Sequence, residues 1–227
     1  METVVVTGAG RGVGLALAQR FVNSGRRVIA TYRTADGRQA IERLGGGARL
    51  VASSLDVADE ASVQAFCQTF ASERLDVLVN NAGVYGPRNG LDHVDGADWR
   101  HTFEVNTLAP FRLSTLLLPA LKQAERPRIV TLSSQMGSLN RRSGGAYAYR
   151  GSKAALNKIM QALAVDLRSA GVIVCVVHPG WVRTDMGGPQ AELTPAESAN
   201  GIVELTDRLT LADSGRFFTW TGDEHPW

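Results

Sequence analysis

Tyr149 and Lys153 stand four residues apart in Tyr149-Arg150-Gly151-Ser152-Lys153, a run that continues into a helical apolar pattern of Leu156, Ile159, Met160, Leu163 and Leu167. On a helix this spacing places the phenol and the ammonium on one face, a turn apart. A tyrosine ordinarily titrates near ~10, and a close positive charge favours its ionised form, so the pair could exchange a proton with an oxygen atom nearer neutrality. The chain has only three lysines, Lys122, Lys153 and Lys158, and one of them falls at this position. Tyr147 is a rival proton donor, but its fourth neighbour is Gly151. Tyr149 is therefore the better candidate.

A second group of residues could hold a phosphate. Thr7-Gly8-Ala9-Gly10-Arg11-Gly12-Val13-Gly14 follows a β-branched run and leads into an apolar-periodic helix. Glycines allow a tight turn and close approach of backbone to a pyrophosphate, which then rests on the positive helix N-terminus. The spacing G-x-x-x-G-x-G fits Gly8, Gly12 and Gly14, whereas G-x-G-x-x-G started at Gly8 fails at Val13. Such a turn can also be purely structural; the strand before it and the helix after it favour a dinucleotide. The second strand ends Ala30-Thr31-Tyr32-Arg33, with no carboxylate before Asp36. A ribose 2′-hydroxyl calls for an acid there and a 2′-phosphate for a guanidinium, so Arg33 points to the phosphate. The plainer alternative for Arg33, as for Arg11 in the glycine turn, is a solvated arginine.

The elements that must position these groups alternate along the chain. Thr3–Thr7, Arg27–Tyr32, Ala48–Ser53, Leu75–Val79, Arg128–Ser133, Val172–Val177 and Arg216–Thr219 read as strands, mostly as continuous apolar runs that suit parallel strands covered on both faces. Gly12–Asn23, Ser62–Ala71, Trp99–Leu121 and Tyr149–Arg168 read as helices, with Gly45-Gly46-Gly47 a turn before the third strand. Repeated βαβ units predict an α/β fold with a doubly wound parallel sheet and helices on both faces, in one domain over 1–227 with a short substrate-side loop at about 185–198.

Composition excludes several classes. At 227 residues, 44% hydrophobic and 20% charged, the chain can bury a substantial core. Its net charge of +2 is scattered, without a nucleic-acid stripe or a polybasic membrane patch. No apolar run approaches the ~20 residues of a membrane span, and the start lacks a signal-peptide pattern, so a soluble, cytoplasmic protein is expected. Cys67 and Cys175 read as buried free thiols, and His93, His101, His178 and His225 show no metal-ligand spacing. No metal is expected.

In its glycine turn, its Y-x-x-x-K pair and the order of its elements, the sequence resembles the short-chain dehydrogenase/reductase family, in the compact single-domain branch whose turn is T-G-x-x-x-G-x-G. The resemblance implies a Rossmann-type fold and an NADP(H) cofactor, with NAD(H) disfavoured by Arg11 and Arg33. It implies that Asp56 and Val57 meet the adenine and that Asn81, Ala82 and Gly83, in the match Asn80-Asn81-Ala82-Gly83 to N-N-A-G, pass under the adenosine, although Asn-Ala-Gly also makes a turn unaided. Pro179-Gly180-Trp181-Val182-Arg183-Thr184 matches P-G-x-x-x-T, which implies that Pro179, Gly180, Val182 and Thr184 meet the nicotinamide amide. His178 beside it reads as a packed strand-end residue. Ser133-Ser134-Gln135-Met136-Gly137 matches S-S-x-x-G, in which Ser134 holds the substrate oxygen and Ser133 is the poorer candidate. Asn106 falls where the family kinks a helix and holds a water bridging to the lysine.

The activity so implied is hydride transfer between NADP(H) and a small carbonyl or alcohol. Tyr149 is the acid/base, Ser134 holds the oxygen, and Lys153, also bound to the cofactor ribose, completes a proton relay with Asn106. The tail from Phe217 to Gly222 and Pro226-Trp227 resembles the C-factor and sniffer-type carbonyl reductases, although Thr219 and Thr221 stand where acidic residues are expected. A non-catalytic NADP-binding sensor is the alternative, against which the intact set of Asn106, Ser134, Tyr149 and Lys153 argues. An epimerase or dehydratase of the extended branch would need other glycine spacing and a larger C-terminal lobe. Tyr85, Trp99, Trp181, Met186 and Trp220 are candidate pocket residues, and the helices at Trp99–Leu121 and Tyr149–Arg168 candidate surfaces for a homodimer or homotetramer.

Overall fold

Val4, Val5 and Val6 are each wholly buried, as a central strand covered on both faces must be. In the computed structural model, which describes residues 1–88 and 95–227, this strand is the middle of one seven-stranded parallel sheet. The strands are β1 (Thr3–Val6), β2 (Arg27–Tyr32), β3 (Leu50–Ser54), β4 (Val77–Asn80), β5 (Arg128–Leu132), β6 (Ile173–His178) and β7 (Phe217–Thr219). They lie in the order β3-β2-β1-β4-β5-β6-β7, with Val5 opposite Ile29 on one side and Leu78 on the other. The order reverses between β1 and β4, and in such sheets the crevice at the carboxyl ends beside that reversal is where ligands bind. The expected doubly wound α/β fold is present. His93 lies outside the described residues.

Helices α1 (Gly12–Asn23), α2 (Ala35–Glu42) and α8 (Pro195–Arg208) cover one face, where Leu17 and Phe21 share a core with Ile202 and Val203. On the other face lie α3 (Glu60–Phe70), α5 (Ala109–Leu116) and α7 (Tyr147–Leu167), with Phe66, Leu113, Leu156 and Met160 packed on Leu78 and Ile129.

The single helix expected over Trp99–Leu121 is broken into α4 (Gly96–Phe103), a π-helical turn at Glu104–Leu108, α5 and α6 (Leu118–Leu121). Pro110 and Pro119 sit in the opening turns of α5 and α6, where a missing N–H is harmless, whereas mid-helix they would break the hydrogen-bond ladder. A π turn inside a helix frequently marks a functional site. β3 begins at Leu50 rather than Ala48 because Gly47–Arg49 forms a 3-10 turn. The helix of Tyr149 begins two residues early, at Tyr147, after Ala146 in the left-handed region at φ 48°. The expected loop at about 185–198 gives way to α8 at Pro195, where Thr194 and Glu197 form a capping box.

At the amino ends of the strands a partly buried ion network ties β5 and α8 to the residues that lead into β1 and β2. Arg128, fully buried, donates to the Glu2 carboxylate and, at 3.3 Å, to the Thr206 carbonyl. Arg26 bridges Glu2 at 2.8 Å and Asp207 at 2.6 Å. Burial raises the Glu2 carboxyl, but hydrogen bonds and charge from Arg26 and Arg128 outweigh it and hold the group below its ordinary range. Glu2 therefore contributes stability that is fully present above the ordinary carboxylate range and is lost as pH falls through the lowered folded value. Glu2→Gln, which strands the buried Arg128 charge, is expected to cost about 3 kcal/mol in urea unfolding. Adding Arg128→Met is expected to recover most of that loss; an unchanged midpoint in Glu2→Gln would refute the account.

Candidate active site

The reversal between β1 and β4 is closed by one hydroxyl. Thr7 Oγ1 accepts from the backbone N–H of Asn81 at 2.9 Å and of Ala82 at 3.0 Å. The Asn81 amide donates back to the Thr7 carbonyl at 2.7 Å and the Gly8 carbonyl at 3.1 Å. This lashes the turn after β4 onto the glycine turn. Gly8 has φ +63°, and a Cβ there would lie 2.9 Å from Ala82 Cα; one at Gly14 would lie 2.4 Å from both Asn81 Nδ2 and the Gly8 carbonyl. Neither position admits a side chain. A Cβ at Gly12 would meet Thr184 Cγ2 at 3.1 Å, so the segment after β6 also reaches this turn. Val13 packs against the core beneath it.

The start of α1 fits a bound anion. Thr34, Asp59, Asp95 and Thr194 cap α2, α3, α4 and α8 with their side chains, but Arg11 at the head of α1 provides no cap, and the first turn holds no acid. The first N–H groups and the positive end of the helix dipole are thus left for a ligand such as a pyrophosphate. Arg11 reaches across to Asp185 at 2.8 Å, both side chains about four-fifths exposed at 79% and 78%. Arg33 is exposed directly after β2. Asp56 turns its carboxylate onto the Ala58 N–H at 3.0 Å, beside buried Val57.

At the ends of β5 and β6 lie the groups with chemistry. Ser133 is used internally, donating to Asn157 Oδ1 at 2.6 Å. Ser134 accepts from the Met136 N–H at 3.1 Å, and its hydroxyl acts to lower the pKa of the Tyr149 phenol. Burial pushes the Tyr149 phenol up to about 12, with Ser134 pulling the other way and Tyr85 adding to the rise. Burial pushes the Lys153 ammonium down to about 8; it donates to the Leu132 carbonyl at 2.9 Å and lies 5.9 Å from the centre of the Tyr149 ring. The expectation that lysine brings the phenol toward neutrality is not met in the protein alone. Burial opposes the charged form of both groups, and the phenol keeps its proton.

Asn106 sits in the π turn as the kink anticipates. Its amide donates to the Val84 carbonyl at 2.8 Å and Ser152 Oγ at 3.0 Å and accepts from the Val84 N–H at 2.9 Å. The side chain is committed to these groups rather than aimed at Lys153, and it pins the chain after Gly83 to α7. A Cβ at Gly83 would lie 3.3 Å from Asn106 Oδ1 and 3.8 Å from Lys153 Nζ, so the turn after β4 borders the lysine.

After β6, Pro179 accepts from Ser198 Oγ at 2.6 Å, and Gly180 has φ +86° with Leu193 and Trp220 against it. Val182 bridges Leu193, and Thr184 Oγ1 donates to the Val182 carbonyl at 3.3 Å and accepts from the Gly187 N–H at 3.1 Å. The residues between form a closed loop. His178 is packed, as expected; burial, then the charges of His225 and Arg141, push it down to about 4, so it is neutral.

Of the five pocket candidates, Trp99 stacks on Phe103, Trp220 packs behind Gly180, and Trp181 and Met186 are exposed on the loop. Only Tyr85 reaches the reactive groups, stacked on Tyr149 at 4.8 Å and 18°. Among the described residues no cluster of His, Cys, Asp and Glu could hold a metal, no helix is long and apolar enough to cross a membrane, and both cysteines are buried and free.

The family model described as short chain dehydrogenase matches residues 2–194. The C-signal protein of Myxococcus xanthus is 45% identical over 166 residues, which are 73% of this chain and 100% of that protein. The crystal structure of NADPH-bound carbonyl reductase from chicken fatty liver aligns with a TM-score of 0.92 at 32% identity, over 100% of this chain and 99% of that one. The carbonyl reductase Sniffer of D. melanogaster aligns at 0.94 and 30% identity over 100% of both. With its motifs converging at the reversal of a parallel sheet that these carbonyl reductases share, the chain belongs to the short chain dehydrogenase family.

Proposed function

We propose that this protein is an NADP(H)-dependent oxidoreductase that interconverts a small carbonyl compound and its alcohol, with reduction favoured at neutral pH. The observation that carries the reading is a buried Tyr149 phenol, one helical turn from a buried lysine, that keeps its proton up to about 12 although Ser134 acts to lower it. A reduction needs an acid that is still protonated when the carbonyl oxygen gains charge.

In this reading the backbone at Gly8, Gly12, Val13 and Gly14 holds the pyrophosphate, and Arg11 and Arg33 hold the 2′-phosphate. The exposed pair of Arg11 with Asp185 is worth only ~0–1 kcal/mol, so a phosphate can take the guanidinium from it. Asp56, Val57, Asn81, Ala82 and Gly83 border the adenosine, and Pro179, Gly180, Val182 and Thr184 border the nicotinamide. Bound NADPH would supply the hydride to the carbonyl carbon. Ser134 donates to the carbonyl oxygen, and the Tyr149 O–H bond breaks as its proton passes to that oxygen and completes the alcohol. The Lys153 ammonium then stabilises and re-protonates the phenolate. Asn106 holds the turn after β4 against Lys153. A cofactor-binding sensor without turnover would accord with the likeness to C-signal, but a desolvated lysine and phenol are costly to keep when nothing uses them.

Tyr149→Phe is expected to lower reductase turnover by about 10²–10⁴-fold while NADPH binding, followed by its fluorescence, changes less than twofold. Full turnover in this variant would overturn the reading. For the wild type, kcat/KM for reduction is expected to be flat below about pH 8 and to decline above it, as Lys153 loses its charge. Alcohol oxidation, which needs the phenolate, is expected to rise toward pH 12. A reduction rate that climbs between pH 8 and 10 would contradict this assignment.

Arg33→Ala is expected to weaken NADPH binding about tenfold more than NADH binding, the loss of one charge-assisted contact to phosphate; an unchanged ratio would remove Arg33 from the site. Phe111 on α5 and Val165 on α7 are exposed at 40% and 72%, and we place a homodimer or homotetramer contact there. Phe111→Glu is expected to shift the sedimentation coefficient to that of a monomer, and a wild type already monomeric would refute the contact.

A further inference from the structure

Tyr85 lies outside every motif used above, yet its ring stacks face to face on Tyr149, centres 4.8 Å apart and planes 18° apart. Its backbone is not free to carry the ring elsewhere. Val84 before it is held at both its N–H and its carbonyl by Asn106. Gly86 after it turns at φ +74°, with Thr102 Oγ1 only 2.4 Å from where a Cβ would stand. That turn brings the Arg88 guanidinium back over the Tyr85 ring, 4.5 Å from its centre. Three side chains therefore form a column of cation, phenol and reactive phenol, rooted in a braced turn.

Each layer has a physical consequence. An offset-stacked neighbour fixes the plane of the Tyr149 ring and hence the direction of its hydroxyl. A guanidinium lying over an aromatic face keeps its N–H groups in its own plane, where they can fork onto a carboxylate. Arg88 is exposed and its guanidinium lies over the ring that stacks on Tyr149, so those donors are open to a ligand one ring away from the reactive phenol. Arg141 and Arg150 line a cleft beside the start of α7 and add positive charge to the same end of the molecule, while Asp185 in the facing loop is paired with Arg11.

We propose that Tyr85 is a positioning and specificity-determining residue and that, with Arg88, it selects carbonyl substrates bearing a planar group and a carboxylate near the reacting carbon. The proposal rests on the carbonyl-reductase reading and narrows its substrate class. A flat substituent lies along the edge of the Tyr85 ring as the carbonyl oxygen reaches Ser134 and Tyr149, and the carboxylate takes the Arg88 fork.

Two probes that differ only in charge test it: phenylglyoxylate and its methyl ester, each followed by NADPH oxidation. Arg88→Ala is expected to lower kcat/KM for the acid at least about tenfold more than for the ester, through KM, the loss of a charge-assisted contact, with partial recovery in Arg88→Lys. Tyr85→Ala is expected to lower kcat on both probes about tenfold at unchanged KM for NADPH, and Tyr85→Phe, which keeps the stack, to restore it. An acid-to-ester ratio equal in wild type and Arg88→Ala, or a wild-type kcat in Tyr85→Ala, overturns the proposal. Calorimetric titration of phenylglyoxylate into wild type and Arg88→Ala gives a readout without turnover. Weaker binding in the variant supports the anion site and equal binding rejects it, whereas a wild type that binds the acid but reduces neither probe nor benzaldehyde counts against the reductase reading instead.

Discussion

Where the strand order reverses, the hydroxyl of Thr7 accepts two backbone N–H groups from a turn 74 and 75 residues away in the chain. A sheet that winds outward in both directions leaves a gap at this seam, and the carboxyl ends of β1 and β4 would splay without a tie between their turns. Thr7 and Asn81 supply it with neutral hydrogen bonds, each worth about 1 kcal/mol and each otherwise a buried group without a partner. Everything later assigned to the site depends on that closure. It sets the turn bearing Gly8 and the turn bearing Gly83 side by side, and through Gly83 it meets Asn106 and Lys153.

The second organising effect is desolvation. Lys153 and Tyr149 are nearly buried, at 5% and 8% exposure, and among the described residues no carboxylate offsets the desolvation of the lysine. Low-dielectric surroundings oppose both charged forms, so the resting pair is closer to ammonium-poor and phenol-rich than exposed side chains would be. This arrangement suits donation of a proton better than its removal. The same burial holds His178 neutral beside the segment that reaches Gly12, so little formal charge competes with a nucleotide on the floor of the crevice.

Elements whose cause is local were readable in the chain. β1, β2 and α1 follow from β-branched runs and a glycine turn that any strand-to-helix junction of this kind needs, and their order alone implies the parallel sheet. The broken region at Trp99–Leu121 was not readable as such, because its apolar period persists through the π turn. Pro110 and Pro119 were the available signals, and each is compatible with a helix start as well as with an interruption. The beginning of α7 was misplaced for a related reason: Ala146, in a left-handed conformation, offers none of the side-chain signals that mark Thr34 or Asp59. In the site, residue types and spacing pointed to Tyr149, Lys153 and Ser134, but the electrostatic balance between them depends on burial, which spacing does not encode. The partners of Asn106 lie 22 and 46 residues away. Tyr85 was visible only as an aromatic residue near a motif, since its stacking on Tyr149 is a product of the assembled fold.

The exposed bridge from Arg11 to Asp185 joins the glycine turn to the loop beyond β6. If a nucleotide phosphate takes the guanidinium, Asp185 loses its tether, so occupancy of the crevice and freedom of the loop become thermodynamically linked. Linkage of this kind is reciprocal: whatever steadies the loop against Arg11 weakens the nucleotide, and whatever draws the loop away tightens it. A weak surface ion pair, nearly irrelevant to the stability of the fold, would thereby couple a nucleotide in the crevice to the loop beyond β6.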